Sequence, residues 1–97
     1  MTDTSPAETP DIRLRRLRLR AWRRGTREMD LILGPWADAR LAALAPGALD
    51  RFEALLEEND QDLYAWTTGQ MPAPGAHAEL LSEIGNFART RFGERER

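Results

Sequence analysis

Between Arg18 and Leu31 the chain reads RLRAWRRGTREMDL, with guanidinium groups crowded around one glycine and two acids, Glu28 and Asp30. Guanidiniums at that density can neutralise phosphates, which is nucleic-acid chemistry, or fork onto the carboxylates of a protein partner. In Arg24-Gly25-Thr26-Arg27-Glu28 a cation, a residue without a side chain and an anion follow in close succession. A glycine there either ends a helix in a left-handed cap or leaves space for a partner's backbone, with Arg24 and Glu28 presenting opposite charges beside it. Catalytic chemistry has less to work with. The pairs Glu57/Glu58 and Asp60/Asp62 have the residue type for acid–base work, but adjacent acids on helices ordinarily serve solvation, and Asp60 and Asp62 fall where a helix should start and be capped. The one histidine, His77, opens a helix after a loop and is expected to be exposed. With no cysteine and a lone histidine, a zinc site or a Ser/His/Asp triad would have to be built from very few parts. Gly34 and Gly47 are isolated and form no phosphate loop. Nothing assembles an active site, and the protein reads as no enzyme.

The elements that must position these residues are helical. Residues 1–11 are small, polar and broken by Pro6 and Pro10, and read as a disordered tail. Asp11 can cap a first helix over residues 12–24, whose stripe of Leu14, Leu17, Ala21 and Trp22 has helical spacing and stops at Gly25. The alternation at Leu17 to Arg20 would suit a strand, but no second strand is at hand to pair with it. A second helix begins near Thr26, with Glu28 and Asp30 in its first turn where they complement the dipole. Proline in Gly34-Pro35 should kink or restart it, and Pro46-Gly47 marks the next break. A third helix places Leu49, Phe52, Leu55 and Leu56 on one face. Asn59 or Asp60 turns the chain into a short fourth helix that Gly69 ends. The last runs from about His77 to Phe92, with Leu80, Leu81, Ile84, Phe87 and Ala88 inward. Trp22, Trp36 and Trp66 all lie on apolar faces, so core packing is the default expected for each, with the alternative that one near the first corner anchors a partner. The expectation is an all-α, small five-helix bundle over residues 12–92, with residues 93–97 as a C-terminal tail.

Composition narrows the class. A chain of 97 residues supports one domain and one modest core. Net charge is −2, but eight of the fourteen arginines lie between Arg13 and Arg27, and Asp50 to Asp62 holds six acids against one arginine. That asymmetry predicts a dipolar molecule that docks in a fixed orientation. The start has neither a signal peptide's apolar stretch nor the acid-poor character of a transit peptide, so a bacterial cytoplasm is expected ahead of a mitochondrial matrix. No apolar run is long enough to span a bilayer. Nucleic-acid binding through the arginine helix is the alternative reading. Leucines and Trp22 interrupt that basic surface, and the acidic remainder would repel a polyanion.

Two stretches carry a family resemblance. Arg24-Gly25-Thr26-Arg27-Glu28 is similar to the RGxxE motif of the SdhE family of succinate dehydrogenase assembly factors. LLEENDQDLYAW, Leu55 to Trp66, resembles that family's second signature, and Pro35 and the Met71-Pro72 loop fit as well. Gln61, where the family often has proline, and the Pro/Ala/Gly-rich loop from Met71 to Ala76 depart from it. The resemblance implies a factor that binds the flavoprotein subunit of succinate dehydrogenase, and in some bacteria of fumarate reductase, and promotes covalent attachment of FAD to a client histidine. It implies that FAD belongs to the client and that no cofactor is held stably here. Arg24, Gly25 and Glu28 would form the core of the partner surface, with Arg23, Arg27 and Asp30 as neighbours. Asp62, Tyr64 and Trp66 would mainly fix the fourth helix. A monomer that touches neither nucleic acid nor membrane is expected.

Overall fold

The computed structural model describes residues 8–95 of the chain. Among the described residues five α-helices follow in order: α1 Pro10–Trp22, α2 Arg27–Arg40, α3 Pro46–Leu55, α4 Asp60–Thr67 and α5 Gly75–Arg95, with a 3-10 turn, Leu41–Ala43, after α2. Among the described residues there is no strand, and the architecture is the expected small helical bundle.

The helix starts follow local capping chemistry. Thr9, not Asp11, caps α1: its hydroxyl accepts from the Ile12 amide at 3.1 Å, and Pro10 occupies a first-turn position where its missing N–H costs nothing. Thr26 accepts from Met29 N at 3.3 Å to start α2, and Asn59 accepts from Asp62 N at 2.8 Å to start α4. Pro46-Gly47, expected as a break, forms the first turn of α3. The ends also differ from expectation. α1 begins at Pro10 and α5 continues to Arg95, past the predicted boundaries at 12 and 92, while residues 1–7 and 96–97 lie outside the described residues.

Pro35 neither restarts nor interrupts α2, which runs unbroken from Arg27 to Arg40. Proline clashes with the Cβ and amide of the residue before it. That residue is Gly34, which has no Cβ, so half of the conflict is absent. The same missing atom has a second use. A Cβ on Gly34 would stand 2.3 Å from the Trp22 ring, so the indole of α1 rests directly on the α2 backbone.

The core is built around α2, which packs against α1, α4 and α5. It gathers Leu17 and Ala21, then Met29, Ile32, Leu33, Trp36 and Ala37, then Phe52, Leu55 and Leu56, then Leu63, and finally Leu80, Leu81 and Ile84. Trp36 and Phe52 stack with ring centroids 5.2 Å apart. Of the three tryptophans only Trp36 is fully enclosed; Trp66 is partly buried, and Trp22 keeps an exposed edge, contrary to expectation. His77, expected at the surface, is buried. Its Nε2 lies 3.0 Å from Glu58 Oε2, and its ring sits 6.1 Å from Trp66.

Candidate functional site

The joint between α1 and α2 is held from inside. Arg23 closes α1, its amide donating to Arg20 O at 3.3 Å, and Gly25 takes φ +107°, a backbone angle that side chains disfavour. The Arg24 amide donates to Asp30 Oδ1 at 2.7 Å, tying the turn to the first turn of α2. The Arg24 guanidinium then points into the molecule. Its Nε donates to Asp60 Oδ1 at 2.8 Å, Nη1 to Leu56 O at 2.6 Å and Nη2 to Glu58 O. Leu56 and Glu58 follow the end of α3, where unpaired carbonyls concentrate negative potential, so one planar cation satisfies both carbonyls and a carboxylate.

Arg24, expected at the core of the partner surface, turns its guanidinium inward, with a side chain 10% exposed and three N–H groups bonded. Asp60 is no cap but the anchor of that arginine. Asp30 also faces inward, as the acceptor that shapes the turn. Left at the surface are Gly25, Arg23, Arg27 and Glu28. Among the described residues none of these three charged side chains forms an ion pair. Beside Glu28 lies an open cleft of about 370 Å³, lined by Thr26, Glu28, Asp60, Gln61 and Tyr64. Tyr64 was expected to fix α4 and instead borders this cleft. Asp62 does serve α4, accepting from the Asn59 amide nitrogen Nδ2 at 3.0 Å, and Trp66 packs against the core. Gln61 and Tyr64 were not among the residues expected at this corner. An exposed aromatic one turn after Asp60 was the available signal.

Most of the other α1 arginines are spent on the molecule itself, while Arg15 stays exposed and forms no ion pair among the described residues. Arg13, Arg16, Arg20 and Arg24 recur at steps of three, four and four, and Asp50, Glu53, Glu57 and Asp60 at three, four and three. They pair in order: Arg13 with Asp50 at 2.7 Å and Glu53 at 2.9 Å, Arg16 with Glu53 at 2.9 Å, Arg20 with Glu57 at 2.9 Å, and Arg24 with Asp60. Arg16 also holds Glu8 at 2.6 Å. The Arg16 hydrogen bond, aided by that of Arg13, keeps the Glu53 carboxyl below the usual carboxylate range against the opposing effect of burial. Glu8 is likewise lowered, chiefly by its Arg16 hydrogen bond. Arg13, Arg16, Arg20 and Arg24 thus meet the acidic stretch in an internal ladder. A phosphate grip loses Arg16 and Arg20, both tied to carboxylates.

A family model described as Sdh5, "Flavinator of succinate dehydrogenase", matches residues 15–88, most of the chain and both halves of the corner. The chain belongs to the Sdh5 family. Its similarity extends to a mitochondrial succinate dehydrogenase assembly factor 2 of Mycosarcoma maydis, 33% identical over 81 residues, covering 84% of this chain and 34% of the relative. The factor of the same name in Aspergillus terreus is 39% identical over 64 residues, covering 66% of this chain and 22% of its own. An FAD assembly factor SdhE of Acetobacter pasteurianus is 37% identical over 82 residues, covering 84% and 75%. The chain therefore spans about a third and about a fifth of the two fungal relatives and three quarters of the bacterial one. The Sdh5 match contains the whole Arg24–Asp60 clamp. Among the described residues no helix is long and apolar enough to cross a membrane.

Proposed function

We propose that this protein is an assembly factor that binds the flavoprotein subunit of succinate dehydrogenase and promotes covalent attachment of FAD to a histidine of that subunit. The observation carrying this reading is the Gly25 corner: an exposed glycine held at φ +107° by inward Arg24 and Asp30, in a chain of the flavinator family. Because the turn is shaped before any partner arrives, docking need not order it, which removes part of the entropic cost of association. Gly25 keeps the approach open while Arg23, Arg27 and Glu28 offer charges of both signs around it. FAD supplies the electrophilic ring and belongs to the client; this chain's residues bind and orient. Its effect is to favour the client conformation in which histidine and flavin are aligned, so it acts by shifting a population and not as an enzyme. The same proposal covers fumarate reductase as a second client, a monomeric state, and a bacterial cytoplasm, the last supported by the bacterial relative.

The test is in-gel flavin fluorescence of the denatured flavoprotein subunit. The subunit is coexpressed with this protein, with Gly25→Arg, or with neither, in a host stripped of its own assembly factor. Fluorescence raised by the intact chain alone is the expected result. Equal fluorescence in all three lanes overturns the reading.

A further inference from the structure

The outer edge of the α1–α2 pair carries a feature that the Gly25 corner does not use. Leu19, Trp22 and Leu31 are 49%, 37% and 38% exposed. Trp22 joins the two helices: its ring crosses Gly34, and its Nε1 donates to Asp38 Oδ2 at 3.2 Å. Leu19 lies one turn before Trp22 on α1, and Leu31 one turn before Gly34 on α2, so the three side chains make one apolar ridge. Arg23, four residues after Leu19, and Arg27, four before Leu31, flank the ridge where it meets Gly25.

We infer that this ridge is the second half of the docking surface, fitted to an apolar patch on the client that is rimmed by carboxylates. The inference rests on the client reading above. Three observations favour that occupant. The ridge is continuous with the corner, since Arg23 and Arg27 stand two residues to either side of Gly25. Its flanking cations remain without an ion pair among the described residues, whereas Arg13, Arg16, Arg20 and Arg24 are neutralised from within. Trp22 is already fixed by Gly34 and Asp38, so it can serve as an anchor without losing further side-chain freedom.

The full chain and three variants, Leu19→Ser/Leu31→Ser, Arg23→Gln/Arg27→Gln and Gly25→Arg, are titrated with purified flavoprotein subunit by calorimetry. Helicity and melting of each variant are checked, and self-association is followed by sedimentation. Both leucines are exposed, so the serine variant should fold as the parent does. It should bind about tenfold more weakly. The glutamine variant should lose affinity at low salt and approach the parent at high salt. Unchanged affinity in the serine variant, with binding lost in Gly25→Arg, would discard the ridge and leave the corner standing. No binding by the parent chain would defeat both proposals together. A parent dimer that the serine variant dissociates, or parent binding to anionic vesicles that it loses, would assign the ridge to a second copy or to a lipid surface and overturn the client assignment.

Discussion

Arg24 Nε and Asp60 Oδ1 meet at 2.8 Å across 36 positions of sequence, with side chains 10% and 13% exposed. The pair fastens the α1–α2 joint to the α3–α4 joint, so the corner at Gly25 owes its shape to a residue far away in the chain. Removing one partner of an enclosed pair leaves the other uncompensated, and Arg24→Ala should cost about 3 kcal/mol. Asp60→Asn should cost about 1–2 kcal/mol, because the bonds to Leu56 O and Glu58 O survive. Arg24→Lys should recover little, since an ammonium cannot span three acceptors as a planar fork does. Urea denaturation measures all three. An Arg24→Ala midpoint equal to the parent's would refute the clamp.

Gly25 separates backbone strain from steric blocking. A Cβ there would sit 3.7 Å from Asp60 Oδ2, an ordinary contact, so the penalty for alanine comes from φ +107°. Gly25→Ala should lose about 1–2 kcal/mol of stability yet keep more client binding than Gly25→Arg, whose side chain occupies the approach. Paired melting and binding measurements decide it. Equal binding by the two variants would show that side-chain bulk is not what matters.

Gly34 and Trp22 should behave as a coupled pair. Alanine at Gly34 puts a methyl 2.3 Å from the indole and forces it off the helix, at about 1–3 kcal/mol. In a Trp22→Ala background the same substitution should cost less, giving a coupling above about 0.5 kcal/mol in a double-mutant cycle. Additive effects would mean that the ring moves aside freely.

The arginine ladder sets a pH dependence. Glu53 has its folded pKa below the ordinary value of 4.5, first through the Arg16 hydrogen bond. Its contribution to stability is therefore complete above that ordinary value and is lost as pH falls through the depressed folded value. Urea midpoints should drop as pH falls below about 4.5, and Glu53→Gln should flatten part of that drop. An identical pH profile in the variant would contradict the assignment.

Much of the architecture was legible from local chemistry. The period of Leu17, Ala21 and their successors on α2 and α3 identifies buried faces, because burial on a helix repeats with its turn. Thr26 as a cap and Gly25 as a left-handed stop depend on bonds and angles within a few residues.

What failed to be legible was partnership between distant elements. Asp60 read as a cap, His77 as exposed, Arg24 as a presented charge and Trp22 as core. Each depends on what a distant segment offers: Arg24 to Asp60, Glu58 to His77, two carbonyls and Asp60 to Arg24, and the bare backbone of Gly34 to Trp22. Pro35 was expected to interrupt α2, yet the helix passes through it after a glycine that has no Cβ to clash. The sequence by itself determined the helices, their apolar faces and the glycine at the joint, since these follow from short-range periodicity and backbone sterics. Only the tertiary structure decided which arginines are neutralised and which remain at the surface, because an ion pair forms where two side chains meet in space.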